Sequence, residues 1–189
     1  SVFGVEIPEF ILMPPNSSII ITGVSGVTGL DTVSMNAVIA DVEAPSGSAS
    51  AGFSAHKNTT NQTGLPANNA SWTKITFTTE VFDNGSYYDA ANSKWTPPAG
   101  MVFLLASCYL SAGAVDQAQS LVAIYKNGSI YKNVSINNAS GVSNTILMGS
   151  CIDNANGTDY YEVYFNKGGA GDGTLSGAIN YTYFQGAAV

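Results

Sequence analysis

The sequence predicts an all-β sandwich, and three observations carry that expectation. Short runs rich in Val, Ile, Tyr, Phe and Thr recur along the chain, Gly, Asn, Asp and Pro punctuate them, and no stretch shows the apolar period of an amphipathic helix. The clearest element is a hairpin from Leu121 to Val134, whose two halves meet at Asn127-Gly128. Asn-Gly accepts the positive φ values of a type I′ turn, whose twist matches that of paired strands. Another strand is expected from Tyr160 to Phe165 and a closing one from Leu175 to Phe184, with Gly168 to Gly173 between them as a flexible turn. Side chains alternate between the faces of a strand. Tyr161, Val163 and Phe165 therefore fill the core, while Tyr160, Glu162 and Tyr164 point away from it. By the same rule Ile179, Tyr181 and Tyr183 share one face of the closing strand, and Ala178, Asn180 and Thr182 the other. Many short strands at this spacing make a sandwich or jelly roll.

Composition divides the chain. Near Glu43 to Ser50 the run Ala-Pro-Ser-Gly-Ser-Ala-Ser has linker character. The expected organisation is an arm over 1–44, a linker over 45–51 and one domain over 52–189. The arm holds two strand candidates, Ser18 to Val24 and Val33 to Val42, too few for an independent domain, so it is expected to be ordered by assembly.

Charge excludes several functions. Charged residues make up 10% of the chain and hydrophobic ones 45%, with a net charge of −7, and the isoelectric point is about 4.3. Six Lys and Arg in all give no basic patch for a phosphate backbone or an anionic lipid surface, so neither nucleic acid nor membrane is an expected partner. The opening residues lack a basic leader, and the apolar run Phe10 to Met13 stops at Pro14-Pro15, so neither a signal peptide nor a membrane span is expected there. Cys108 and Cys151 lie in strand-like runs and read as two buried free thiols, with a disulfide as the alternative.

Catalysis finds little support. His56 is the single histidine, which rules out most histidine metal clusters and leaves at most one nucleophile–base pair. No Gly-x-Ser-x-Gly elbow occurs, and the glycines of 168–173 are not followed by the Lys-Ser or Lys-Thr of a phosphate loop. Asp83, Asp89, Asp153, Asp159 and Asp172 lie in or beside turns, where aspartate commonly caps backbone amides instead of forming a glycosidase pair. Asn-x-Ser/Thr sequons are frequent, and Asn180 falls inside the expected closing strand, an awkward place for a glycan.

A resemblance sharpens the fold. Gly52-Phe-Ser-Ala55 is followed in order by Phe82-Asp-Asn-Gly-Ser-Tyr-Tyr-Asp89, Lys94-Trp-Thr-Pro97, Gly100-Met-Val-Phe103, Tyr125-Lys-Asn-Gly128, Asp159-Tyr-Tyr-Glu-Val163 and Leu175-Ser-Gly177. This series resembles the complement C1q globular-head and tumour-necrosis-factor superfamily over about 46–189. Trp95, Val102 and Leu175 replace the usual Phe, Tyr and Phe, and all three remain apolar. The resemblance implies a ten-stranded antiparallel jelly roll that assembles as a homotrimer, with Tyr160, Glu162, Tyr164, Tyr181 and Tyr183 at the trimer interface. Some members bind calcium, which makes Asp153, Asn154 and Asn156 the first choice for a calcium site, because hard cations take oxygen donors from adjacent loops. Fibre tips of this kind bind host-surface glycans, for which Trp72, Tyr87, Tyr88 and Trp95 are the available aromatics.

The expectation is a non-enzymatic structural protein of a virion surface, such as a phage fibre, spike or decoration, that docks to other virion proteins through residues 1–44. The alternative is a secreted, extracellular recognition or signalling ligand of the C1q or tumour-necrosis-factor type.

Overall fold

The computed structural model describes residues 51–112, 119–138 and 144–189. The expected arm, its two strand candidates and nearly all of the linker lie outside them. Thirteen strand segments follow along the described chain: β1 (Gly52–His56), β2 (Gln62–Leu65), β3 (Trp72–Lys74), β4 (Thr79–Asn84), β5 (Tyr88–Asp89), β6 (Lys94–Trp95), β7 (Gly100–Ala112), β8 (Ser120–Lys126), β9 (Ser129–Asn137), β10 (Thr145–Ala155), β11 (Tyr161–Asn166), β12 (Gly173–Leu175) and β13 (Tyr183–Ala188). They exceed the expected ten because turns and bulges cut some edges into pieces of two or three residues. Among the described residues no helix is long and apolar enough to cross a membrane.

Two antiparallel sheets form the sandwich. The first runs β2-β12-β7-β13-β1-β4, with β10 on the other side of β7; the second runs β5-β6-β11-β8-β9, with β3 also on β11. The long β7 organises the first sheet. One edge pairs with β10 over eleven rungs, from Gly100↔Ala155 to Leu110↔Thr145, and the other is shared by β13 and β12.

Alternation builds the core. Val102, Leu104, Ala106, Cys108 and Leu110 of β7 are buried, as are Val122 and Ile124 of β8 and Tyr161, Val163 and Phe165 of β11. An aromatic cluster closes one part of it: Phe53 stacks on Tyr88 with ring centroids 4.6 Å apart, meets Phe184 edge-on at 4.8 Å and lies 5.0 Å from Trp95. Stacked and edge-on rings add about 0.5–1.5 kcal/mol per pair beyond the area they bury. The β8–β9 hairpin turns at Asn127 and Gly128, with φ of 54° and 77° as a type I′ turn requires.

One predicted element is corrected. Leu175 to Phe184 is not a single strand: β12 ends at Leu175, β13 begins at Tyr183, and the amides of Tyr181 and Thr182 both donate to the Ala178 carbonyl in a turn. Period-two alternation therefore does not apply to 178–182. Asn180 is exposed in that turn and not inside a strand.

Candidate assembly face and binding surface

The outer face of the first sheet is built by register. One rung reads Phe82, Ser54, Gln185, Leu105, Ser150 across β4, β1, β13, β7 and β10, and its neighbour reads Asn84, Gly52, Ala187, Phe103, Ile152. A third runs Thr79, His56, Tyr183, Ser107, Met148, and Tyr109 sits opposite Ile146 beyond it. None of these side chains is a carboxylate or an ammonium. Several are large, apolar and exposed: Phe82, Phe103, Ile146, Met148 and Ile152, the last at 58%. Apolar side chains gathered on one exposed face are characteristic of surfaces that partners cover. Tyr183 extends the patch, with its hydroxyl 3.5 Å from the Met148 sulfur, and Tyr181 packs on Tyr109 at 5.4 Å. His56 lies at its margin, where Nδ1 accepts the Asn58 amide at 2.9 Å, so the histidine has a local structural partner.

The second sheet presents a different outer face. Tyr164 stacks on Tyr125 with centroids 3.8 Å apart, and Trp72 meets Tyr125 edge-on at 5.9 Å. Lys74 sits opposite Tyr164 in register and pairs with the carboxylate of Glu162. Tyr160 continues the row, with the Lys94 ammonium 5.4 Å from its ring centroid. The five residues expected at one trimer interface are thus divided: Tyr160, Glu162 and Tyr164 belong to the second sheet's face, Tyr181 and Tyr183 to the first. They lie on two faces of the sandwich and not on one.

The aromatics expected for a receptor or glycan divide too. Trp95 is fully buried and Tyr88 is buried with its hydroxyl donating to the Phe77 carbonyl at 2.7 Å. Both belong to the core, because β5 and β6 point these side chains inward against Phe53 and, for Trp95, Tyr161. Trp72 and Tyr87 remain accessible, Trp72 on β3 and Tyr87 just before β5.

Asp153, Asn154 and Asn156 do not converge on a cation. A lysine takes that place: the Lys126 ammonium lies 2.8 Å from Asp153 Oδ2 and 3.0 Å from Asp159 Oδ2. Asp153 also accepts the Tyr161 hydroxyl at 2.7 Å and the Asn154 amide, while Asn156 Oδ1 caps the amides of Thr158 and Asp159. Burial would raise the Asp153 carboxyl, but Lys126, Tyr161 and the Asn154 amide together hold it down to about 2. Its negative charge is already matched. Among the described residues no group of three or more His, Cys, Asp or Glu side chains is placed to hold a metal ion. Asp153 and Asp159, two of the five turn aspartates, are brought together on Lys126, and the ammonium between them makes the pair a clamp on the β8–β9 turn.

Two further features were not legible in the pattern. Gly168 to Ala170, expected as a flexible turn, wraps the buried Lys167 ammonium, which donates to the carbonyls of Gly168, Gly169 and Ala170 at 2.8, 3.2 and 3.3 Å. Burial lowers the Lys57 pKa to about 8, and its ammonium is held by Gln62 Oε1 and both oxygens of Thr76. The cysteines are free. Cys108 pairs in register with Leu147 and Cys151 with Leu104, four rungs apart and so about 13 Å along the strands. A disulfide needs Cα atoms within about 7 Å.

Solved structures share this fold. Murine APRIL matches with a TM-score of 0.55 at 10% identity, covering 74% of this chain and 99% of that one. Eiger TNF from S. frugiperda matches with a TM-score of 0.53 at 9% identity, covering 74% and 92%. The globular domain of zebrafish complement 1qA aligns with a TM-score of 0.48 at 9% identity, covering 74% and 97%. No protein-family model and no curated protein sequence matches the chain. The class these features define is an all-β jelly roll of the tumour-necrosis-factor type, and at such identities the likeness is one of fold.

Proposed function

We propose that the protein acts by assembly and binding, as a non-enzymatic homotrimer in which the outer face of the first sheet packs against sister copies. The observation that carries this reading is the uncharged apolar face across β4, β1, β13, β7 and β10. Exposing Phe103, Ile146, Met148 and Ile152 together is unfavourable in water, and covering them with equivalent surface of another copy relieves it. The resemblance of the sequence series to C1q and tumour-necrosis-factor domains favours three copies. Light scattering tests it: the expected mass is three times the 19.6 kDa chain, and a stable monomer at micromolar concentration would refute it.

Within that reading the protein is a structural component of a virion surface, a fibre, spike or decoration anchored through residues 1–44. Its acidic, low-charge composition and frequent sequons support this. A secreted ligand is the second reading, favoured by the fold likeness to APRIL and Eiger TNF. Mass spectrometry of protein from its native source separates them. Unmodified sequons, including the exposed Asn180, are expected for a phage particle, and multiple N-glycans would remove that reading.

A further inference from the structure

In an Asn-Gly step an asparagine can modify itself, because glycine has no Cβ to shield the amide nitrogen that attacks the preceding side chain. The chain holds three such steps, Asn84-Gly85, Asn127-Gly128 and Asn156-Gly157, the first two followed by Ser and the third by Thr. Local sequence therefore gives them nearly equal reactivity. Structure separates them. The Asn127 side chain is held at both ends, its Nδ2 donating to Asp159 Oδ1 at 2.7 Å and its Oδ1 accepting the Tyr160 amide at 3.0 Å. Asn156 Oδ1 accepts the Thr158 amide and hydroxyl at 2.8 and 2.9 Å and the Asp159 amide at 2.8 Å. Asn84 and Gly85 are exposed, and among the described residues neither the Asn84 side chain nor the Gly85 N–H makes a hydrogen bond. Glycine is also required at this step: its φ is 95°, and a Cβ would lie 2.4 Å from the Tyr87 ring.

We propose that Asn84 is a deamidation site whose product limits assembly. The Gly85 nitrogen gives up its proton to solvent base and bonds to Asn84 Cγ; the Cγ–Nδ2 bond breaks, ammonia leaves and a succinimide closes. Water then opens the ring at either carbonyl, which gives aspartate or isoaspartate. Both products carry a carboxylate where a neutral amide stood. Asn84 begins the rung Asn84, Gly52, Ala187, Phe103, Ile152 of the uncharged face. Its neighbour Asp83 is already committed, with Oδ2 accepting the Tyr88 amide at 2.9 Å. A sister copy that covered the rung would bury the new carboxylate among neutral side chains, which is costly. The effect on assembly rests on the first sheet being the contact between copies; the chemistry at Asn84 does not.

The full chain, produced in bacteria so that its sequons stay bare, is aged in neutral and in mildly alkaline buffer, and peptide mapping by mass spectrometry follows each step. Two ordinary hydrogen bonds that must break before attack slow a step about tenfold or more. Conversion at Asn84 is therefore expected to run at least about tenfold ahead of Asn127 and Asn156, and to be faster in the alkaline buffer. In the urea-unfolded chain the three rates should come together. Equal rates in the folded chain, or a lead for Asn127 or Asn156, would overturn the proposal. Light scattering reads the consequence. Asn84→Asp is expected to move the monomer–trimer midpoint to about tenfold higher concentration, while Asn84→Gln leaves it in place. An unmoved midpoint in Asn84→Asp, or the same shift in Asn84→Gln, would overturn the link to assembly. A parent chain that is monomeric when fresh refutes the assembly reading and that link with it, and the order of the three steps still decides the chemistry.

Discussion

Single residues decide where this fold is tight. Trp95 lies in the core with its Nε1 buried and unpaired, which sets a steric gain against a polar cost. Truncating it to Ala removes about 3–5 kcal/mol of packing. Trp95→Phe keeps an aromatic ring against Phe53 and removes the orphan donor, so it should cost no more than about 1.5 kcal/mol in a urea denaturation series. Asp153 makes a pH-dependent contribution. Its carboxyl is depressed to about 2 from the ordinary 3.8, so the folded state holds this proton less tightly than the unfolded chain. The stabilisation, about 2 kcal/mol, is complete above roughly pH 4 and is lost as pH falls through about 2. Thermal melts of Asp153→Asn against the parent should differ most at pH 5–7 and converge toward pH 2; a gap of constant size would contradict this assignment.

Elements depend on how closely the sheets approach at their edges. β10 passes β9 so tightly that a Cβ on Gly149 would lie 1.9 Å from the Val134 carbonyl oxygen. The obstacle is backbone, which cannot rotate aside as a side chain would. Gly149→Ala should therefore destabilise the domain by about 3 kcal/mol or more, above the usual range for one added methyl, read as a lowered urea midpoint. Its neighbour Ser150 is exposed on the opposite face, and Ser150→Ala should be within about 0.5 kcal/mol of the parent. The β8–β9 hairpin was the most legible element, because Asn127-Gly128 encodes its turn locally. The closing segment was misread, since the turn at 178–182 is enforced by contacts to β7: the Ser107 hydroxyl donates to the Tyr181 carbonyl and the Tyr109 amide to the Thr182 hydroxyl.

At the scale of the molecule, the two outer faces have different physical chemistry and so different fates. Placing a charge on the apolar face should disrupt assembly without unfolding the protomer, because Phe103 and Ile152 contribute little to the core. Phe103→Lys and Ile152→Glu are each expected to convert the proposed trimer to monomer in light scattering, with the thermal transition of the protomer retained. Burial of one unpaired charge per copy outweighs the area gained at each contact. Retention of the trimer in both variants would move the interface elsewhere. A matching lysine at Ile136, exposed on the edge strand β9 of the other sheet, serves as the control and should leave the mass unchanged.

The sequence by itself determined the all-β class, the Asn127-Gly128 hairpin, the inward set Tyr161, Val163 and Phe165, and, through the ordered motif series, the jelly-roll type. These are local signals: period-two alternation and turn residues act over a few positions. Only the tertiary structure decided which sheet each strand joined. That placement separated Tyr160 and Tyr164 from Tyr181 and Tyr183, sent Trp95 and Tyr88 into the core and set Lys126 between Asp153 and Asp159. Strand pairing is non-local, and an alternating segment can bury either face until its neighbours are fixed. The face a tyrosine finally shows depends on partners dozens of residues away, which no run of adjacent residues encodes.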